Sequence, residues 1–455
     1  MSLNDSKKQT FDSDTCGLIS GMFRYDTFSA DALSERFFYD DAYFLHGGEA
    51  FDPHLRMLSL AAALCLSDKT EYAEEFLSAL GFDADSLRFD ETDSVTPDSL
   101  GSIIACKPLE DAVLVAVVLR GQRYGTEWNT NVAAGESGDI MGLACSAEKV
   151  LERLSEYLQS NKILRAKLWV TGYSRAGSVA NLVGRALNED PGAFASAKED
   201  IFVYTFEALR CSADKTVYGN IHNVYDPDDL VAYLFPSQWG LGLNGVEETI
   251  GGGEKITGKI MCLGDDGSFT ADYSQIGKAE FIERFSAFTA RYMTRECYNA
   301  IIQEPLRDFV VMFFGKSYVD QGKLMRAVPK IAESFQSDER FIPAMMSLLA
   351  EPCNETVLGD TASLIFEHLD KIRHQDNLPL NDDETRIVKT TLRAFMTFLA
   401  PAVEADLCCA PEEGAEEVSF YHFMTFALGC GELLKAHVPE SVLAAVKADD
   451  NYYSL

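Results

Sequence analysis

Long apolar stretches are missing from this sequence of 455 residues, and their absence excludes several classes of protein. No segment reaches the roughly 18 consecutive apolar residues that a membrane-spanning helix needs. The opening residues, MSLNDSKKQTFDSDTCGLIS, lack the continuous apolar core of a secretory signal peptide. We therefore predict a protein without a transmembrane segment, located in the cytoplasm.

Basic residues are few relative to acidic ones. Lysine and arginine total 39 against 71 aspartates and glutamates, which gives a formal net charge of −32. A field of this sign repels phosphate backbones and anionic bilayers, so we do not expect nucleic acid as a partner. Because the acidic residues are scattered through stretches with helical periodicity, we interpret them as a solvated surface rather than as a binding tail.

The sequence also lacks the motifs of metal and cofactor sites. Its 11 cysteines show no C-x-x-C spacing, and most lie in apolar runs such as Leu64-Cys65-Leu66, which is typical of buried thiols in a reducing compartment. There is no H-E-x-x-H, no D-x-D-x-D-G loop, no G-x-x-x-x-G-K-[ST] and no dinucleotide-binding glycine pattern. We expect chemistry that needs neither a metal nor a cofactor.

What the sequence does contain is a series of buried-strand patterns separated by helical ones. Residues 112–119, AVLVAVVL, are apolar throughout, as expected for a strand covered on both faces. The pattern predicts a helix over 146–160 and further strands over 166–171, 201–206 and 220–225. This alternation predicts an α/β fold with a doubly wound, mainly parallel sheet.

Outside this alternation the periodicity is mainly helical. A glycine-rich stretch at 240–253 is interpreted either as a plain connection or as the edge of a mobile lid. We predict four regions along the chain: a helical N-terminal extension (1–100), the α/β core (101–236), a mainly helical cap insertion (237–430) and a C-terminal return to the core that carries the catalytic histidine (431–455).

A serine stands between a predicted strand and a predicted helix, in Gly172-Tyr173-Ser174-Arg175-Ala176. A serine on a sharp strand-to-helix turn exposes its hydroxyl above the sheet, and small residues two positions away on either side let the backbone turn. The amino end of the following helix offers free N–H groups to a developing oxyanion. The same string also fits an ordinary turn with a helix-capping serine, and the pentapeptide alone does not decide between the two.

Four blocks follow one another along the chain: VVLRGQ at 117–122, LWVTGYSRAGSVANL at 168–182, VYTFEALR at 203–210 and NVYDPDDLVAYLFP at 223–236. In their order and spacing these blocks resemble the class 3 (fungal-type) lipase group of α/β hydrolases, and especially its bacterial lipase-like branch. The second block, which contains the serine turn or elbow, has Ala176 where the family commonly has a second glycine. In the third block, Glu207 and Leu209 replace a usual glycine and proline.

The resemblance implies an α/β-hydrolase-like fold with a helical cap insertion, Ser174 as the nucleophile and Asp229 as the acid that orients the base. Asp226 and Asp228 lie close by, and aspartates in such clusters are commonly turn residues or solvated charges. The choice of Asp229 over these two neighbours follows from the alignment of the block and not from the residues themselves.

The resemblance also implies an oxyanion hole formed by the backbone N–H groups of Gln122 and Arg175. The side chain of Arg175 could bind a carboxylate or phosphate of the substrate, or could form a salt bridge to an acid such as Glu207. In a protein this acidic we favour the salt bridge.

The base should be a histidine, because removing a serine proton near neutral pH needs a group that titrates in that range. Chain order in this fold, serine then acid then histidine, leaves His368, His374, His422 and His437 of the seven histidines. His437 lies at a loop-to-helix junction that resembles the family's late histidine, and we favour it. His422 is the second candidate, although its aromatic neighbours suggest a core histidine, and we interpret His368 and His374 as surface residues.

These residues predict a hydrolase that cleaves carboxylic esters, with lipid or other acyl esters as the expected substrates, through an acyl-enzyme on Ser174. The helical insertion would exclude water and limit substrate size. A binding module that keeps the fold without a working site is the main alternative, because of the departures at Ala176 and Glu207. A thioesterase or peptidase with the same residues is the other, because the motif does not fix the leaving group.

Overall fold

The structure is a computed structural model of the chain. It describes twelve segments, and every structural statement below refers to these: 18–27, 31–66, 69–90, 100–121, 138–263, 269–292, 334–335, 337–351, 354–373, 386–387, 389–393 and 433–449.

In the part of the chain that the structure describes, eleven strands and eight α-helices have defined bounds. The strands are β1 (Ile19–Asp26), β2 (Ala32–Tyr39), β3 (Arg88–Asp90), β4 (Ser102–Pro108), β5 (Val113–Leu119), β6 (Ala166–Tyr173), β7 (Ile201–Phe206), β8 (Ile221–Tyr225), β9 (Val246–Thr249), β10 (Lys255–Leu263) and β11 (Phe269–Gly277). The helices are α1 (Pro53–Cys65), α2 (Thr70–Ala79), α3 (Met141–Ser160), α4 (Arg175–Glu189), α5 (Lys278–Tyr292), α6 (Phe341–Ala350), α7 (Glu355–Arg373) and α8 (Pro439–Asp449).

The centre of the molecule is a seven-stranded sheet in the order β3-β4-β5-β6-β7-β8-β9. Pairing is antiparallel from β3 to β5 and parallel from β5 to β9. Strands β6 and β7 are buried at every residue, which is the reason that their sequences are apolar runs without alternation. The predicted mainly parallel α/β sheet is confirmed.

One face of the sheet is covered by the two crossover helices, α3 between β5 and β6 and α4 between β6 and β7. Their apolar residues share a core with the strand residues that point to this side, such as Val115, Val170 and Val203. Parallel strands added one after another with crossovers of one hand place their helices on one face. The opposite face therefore needs covering elements from elsewhere in the chain.

Those elements come from before and after the parallel strands. Helix α1 packs on the other side of the strands, together with α8 and the β1–β2 hairpin. Asp52 caps α1 by accepting hydrogen bonds from the backbone N–H groups of His54 and Leu55, and Pro53 occupies the first turn. Within the core, Trp169 Nε1 donates to Ser59 Oγ over 2.8 Å, which fixes α1 against β6.

Two predicted boundaries differ from the structure. The N-terminal region predicted as helical contains α1 and α2 but also the β1–β2 hairpin and β3, whose residues alternate between exposed and buried instead of forming an apolar run. Strand β9, with the polar sequence VEET, lies inside the predicted cap at 237–430 and completes the edge of the central sheet. Polar edge strands give no long apolar signal, so the pattern placed the end of the core too early.

The later part of the chain is largely helical where it is described. A separate antiparallel pair, β10 and β11, precedes α5, and α6 packs on α7. In the described part of the chain, no helix has both the length and the apolar composition to cross a bilayer. Short 3-10 turns lie at Asp41–Phe44, Ala84–Ser86, Pro191–Phe194, Lys198–Asp200, Val231–Tyr233 and Ser237–Trp239.

Candidate active site

Ser174 lies at the sharp turn between β6 and α4. Its backbone has φ 58° and ψ −127°, a strained conformation for a residue with a side chain. The turn is held to the neighbouring strand because Ser174 N donates to the carbonyl of Phe206 over 2.8 Å. The Ser174 side chain forms no hydrogen bond to the first turn of α4, which argues against a helix-capping serine.

Small residues around Ser174 let α4 begin close to the sheet. A Cβ atom on Gly172 would lie 2.3 Å from the carbonyl oxygen of Ala176, and one on Gly177 would lie 2.9 Å from the carbonyl oxygen of Phe206. The Ala176 methyl group, by contrast, is buried in the core between α4 and the sheet. The turn therefore requires glycine at 172 and at 177, whereas alanine is accommodated at 176.

Replacing the small residues two positions before and two positions after Ser174 should have consequences of different size. We expect Gly172→Ala to lower the free energy of unfolding by about 1–3 kcal/mol because a backbone contact must open, and the displaced serine should lose activity by roughly 100-fold. Ala176→Gly should cost about 0.5–1 kcal/mol through added backbone freedom and leave kcat within about twofold. Thermal unfolding and ester hydrolysis measure both; a large gain of activity in Ala176→Gly would contradict this account.

Ser174, His437 and Asp229 form one hydrogen-bonded chain. Ser174 Oγ lies 2.9 Å from His437 Nε2, and His437 Nδ1 lies 2.7 Å from Asp229 Oδ2. Asp229 is completely buried and His437 is 5% exposed, whereas Ser174 is partly exposed at the carboxyl edge of the sheet. A serine that faces one ring nitrogen while a buried carboxylate faces the other is the arrangement of a nucleophile, a base and an orienting acid.

Backbone hydrogen bonds hold the segment that carries His437 close to Ser174 and Asp229. The Tyr173 hydroxyl, one residue before Ser174, donates a short hydrogen bond to the carbonyl oxygen of His437. The backbone N–H of Leu230, next to Asp229, points at the carbonyl of Leu433 at 3.5 Å. Leu230 and Leu433 also pack with Phe281 of α5 in a small apolar cluster. The two hydrogen bonds join residues that are more than 200 positions apart in the sequence.

The three aspartates after β8 have separate roles. Asp226 Oδ1 accepts from Asp228 N over 2.9 Å and closes the turn. Asp228 accepts from the backbone N–H groups of Glu254 (2.9 Å) and Ala279 (3.1 Å) and so fixes the start of α5. Asp229 Oδ1 accepts from Val231 N over 2.8 Å, which leaves Oδ2 for His437. Of the three, Asp229 is the carboxylate that faces the histidine.

Glu207, which we named as an example of an acid that Arg175 could pair with, forms other contacts. Arg175 Nη2 donates to Ser146 Oγ of α3 over 3.1 Å, and both residues are buried. Glu207 faces the other way: its Oε1 accepts from Asp226 N over 3.0 Å, and it lies against Asp229. Burial and the neighbouring Asp229 raise the pKa of Glu207 well above its usual value. The sequence signalled Glu207 only as a departure from the family pattern.

The backbone around Ser174 is suited to binding an oxyanion. Arg175 is the first residue of α4, so its N–H group belongs to the turn whose donors have no partner within the helix. Strand β5 ends level with Gly172, and a Cβ on Gly121 would be 3.7 Å from the carbonyl oxygen of Tyr173. Gln122, the other predicted donor, lies outside the described residues, as do His374 and His422.

A second serine, histidine and aspartate meet in the helical part of the chain, where the serine lies on a helix and not on a strand-to-helix turn. His368 is 2% exposed, and not a surface residue as we had expected. Its Nδ1 faces Ser334 Oγ and its Nε2 lies 2.9 Å from Asp338 Oδ2. Arg340 also binds Asp338 and lowers the pKa of that carboxyl. Ser334 lies in helical backbone with no strained turn, so this group connects structural elements.

Glu207, Asp229 and His437 also meet a geometric criterion for metal binding, since one possible ligand atom of each lies within 4.8 Å of the others. The 2.7 Å distance between His437 Nδ1 and Asp229 Oδ2 is that of a direct hydrogen bond. A cation between these two atoms would need both at coordination distance and would break the contact. The observed geometry therefore fits proton-mediated contacts.

No protein-family model matches the chain, and no curated protein sequence does. Among solved structures, the chain is similar to a lipase from Rhizopus microsporus var. chinensis. The sequence identity is 14% and the TM-score is 0.31, over 52% of this chain and 79% of the lipase chain. The mainly parallel sheet with helices on both faces is the α/β-hydrolase-like fold expected from the sequence. The functional proposal rests on the geometry of the site.

Proposed function

We propose that this protein is a serine hydrolase that cleaves carboxylic esters. The observation that carries the proposal is the chain from Ser174 Oγ through His437 to the buried Asp229, which starts at a strained strand-to-helix turn. Four features coincide there: an activated hydroxyl, a base on one side of it, an acid that orients the base, and the amino end of a helix. A binding module would not require that coincidence.

The proposed reaction begins with attack of Ser174 Oγ on the ester carbonyl carbon while the serine proton moves to His437 Nε2. The carbonyl oxygen becomes an oxyanion, which the N–H groups of Arg175 and Gln122 would bind. His437 then gives the proton to the leaving alkoxide, and the alcohol departs from the acyl-enzyme. Water then attacks the acyl carbon while its proton moves to His437 Nε2, and His437 returns this proton to Ser174 Oγ as the carboxylic acid leaves. Asp229 keeps Nδ1–H of His437 oriented in both halves.

Three finer parts of the proposal depend on the four sequence blocks. They are membership of the class 3 lipase group, membership of its bacterial branch, and activity on lipid esters. The order of strand, elbow, strand and aspartate loop supports them, because β5, α4, β7 and the segment after β8 follow one another in that order along the chain.

The cytoplasmic location is likewise a proposal, supported by Cys65 and Cys211, which are buried thiols whose pKa is raised by burial. A cap formed by the later helical region is a further part of it.

Covalent labelling with a fluorophosphonate tests the proposal directly. The probe should modify wild-type protein at Ser174, located by mass spectrometry of the digest, because only an activated serine displaces fluoride from it at a useful rate. Ser334 is an internal control: it also touches a histidine, yet should stay unmodified. Folded protein that takes up no probe would contradict the proposal and favour the binding module. A panel of nitrophenyl esters of increasing acyl length, thioesters and amides then identifies the leaving group and the acyl chain.

A further inference from the structure

Glu207 is a buried carboxyl group next to the orienting acid. It follows β7 directly and is fully buried, and its backbone is held at φ 48° while its N–H donates to the carbonyl of Val224 over 3.0 Å. The Oε1 atom accepts from Asp226 N, which fixes the plane of the carboxyl group. The Oε2 atom is buried and receives no hydrogen bond.

Two carboxyl groups so close together in the interior cannot both carry a charge without a large cost. Asp229 has two donors, Val231 N at 2.8 Å and His437 Nδ1 at 2.7 Å, and these stabilise its charged form. Glu207 has one, Asp226 N at 3.0 Å. Burial, and then the charge of Asp229, raise the pKa of Glu207. The donor counts and the unpartnered Oε2 atom favour a proton on Glu207 rather than on Asp229, because a proton on Oε2 gives that atom the bond it otherwise lacks.

We propose that Glu207 is a positioning residue of this site, which as a neutral carboxylic acid donates a hydrogen bond to Asp229 and extends the chain Ser174–His437–Asp229 by a fourth member. The role in catalysis rests on the proposed hydrolase function. The donor fixes the carboxylate of Asp229, so that Asp229 Oδ2 stays aligned with the histidine ring. It acts on the reaction only through Asp229 and touches no reacting atom.

At alkaline pH Glu207 should lose its proton. The hydrogen bond to Asp229 is then lost and a second negative charge is buried beside the first, so kcat should fall. The titratable groups that face Glu207 are Asp226 and Asp229 in the loop after β8 and His437 in the segment before α8. Burial raises the pKa of Asp226 to about 6, so Asp226 also titrates and must be controlled for.

Two replacements of Glu207 separate a neutral donor from the other possible roles. Glu207→Gln keeps an N–H donor of the same length without a charge, and kcat should stay within about threefold of wild type. Glu207→Leu removes the donor and should lower kcat roughly 10- to 100-fold with KM nearly unchanged, since a donor to a charged group is lost. The alkaline decline of kcat should be present in wild type and in Asp226→Asn, and absent in Glu207→Gln. Equal losses in Gln and Leu variants of matched thermal stability would overturn the proposal, because they indicate an ionised carboxylate.

Infrared spectroscopy tests the same inference without activity. Wild-type protein with ¹³C-labelled glutamate should show, at neutral pH, an isotope-shifted carbonyl band of a protonated carboxyl group that disappears in Glu207→Gln. In Asp229→Asn the band should persist but shift, since its acceptor has lost its charge. Absence of the band, or its indifference to Asp229→Asn, would overturn the proposal. If the protein also fails to react with the fluorophosphonate while the band is present and shifts, only the hydrolase function is refuted and the Glu207–Asp229 hydrogen bond stands.

Discussion

Ser174→Ala and His437→Gln should each lower kcat for a short nitrophenyl ester by roughly 10⁶-fold, and the double variant should be no slower than either one. The non-additivity follows from the geometry. In the proposed mechanism Ser174 Oγ, 2.9 Å from His437 Nε2, attacks only while that nitrogen accepts its proton, and the histidine has no other task in the first step. Once one partner is gone, the other contributes nothing further. Residual hydrolysis should come from the oxyanion donors alone.

The matching measurements are steady-state and pre-steady-state hydrolysis, with circular dichroism to show that each variant folds. His422→Gln is the control, because His422 was the alternative base from the sequence; it should keep kcat within about threefold. A collapse of activity in His422→Gln with full activity in His437→Gln would transfer the base to His422. Losses that multiply in the double variant would show that Ser174 and His437 act independently, contrary to the hydrogen-bonded chain.

The strands that could be predicted from the sequence are those buried on both faces. Residues 201–206 were predicted as a strand and β7 has these bounds, because every side chain of IFVYTF is buried and the run is apolar from end to end. The same reasoning located β5 and β6. Strand β4 was missed even though it is largely buried, since only IIAC within its sequence SIIACKP is apolar and the strand ends in lysine and proline. The strand propensity of these residues alone does not distinguish such a segment from a loop.

In the candidate site, too, the residues that could be predicted are those that local sequence identifies. Ser174 could be predicted because the elbow is local: strand, turn and helix are consecutive in the sequence. Asp229 and His437 came from a family resemblance and from chain order, and the structure brings them to Ser174 across 55 and 263 positions. The roles of Tyr173 and Glu207 could not be predicted, because each depends on contacts with backbone atoms from remote segments. From the sequence alone, a glutamate that is buried in a turn cannot be told from one that is exposed to solvent.

Replacing Asp229 with asparagine should lower kcat by roughly 10⁴-fold while the protein stays folded. The reason is the direction that the new amide must take. Val231 N donates to Asp229 Oδ1, so in the variant the amide oxygen stays with Val231 and the NH₂ group replaces Oδ2 opposite His437 Nδ1. The ring then carries its proton on Nε2 instead of Nδ1. A protonated Nε2 cannot accept the proton of Ser174, so the first step fails although every distance is preserved.

The two neighbouring aspartates are matched controls for this variant, since all three changes remove one carboxylate from the same loop. Asp226→Asn keeps the oxygen that accepts from Asp228 N, and kcat should change by no more than about threefold. Asp228→Asn can satisfy only one of its two donors, Glu254 N and Ala279 N, so it should lose about 1 kcal/mol of stability and little activity. Kinetics and thermal unfolding of the three variants distinguish a charge effect from a positional one. If all three lost activity alike, the loop's total negative charge would be what matters; if only Asp229→Asn does, the requirement is for one acceptor facing one ring nitrogen.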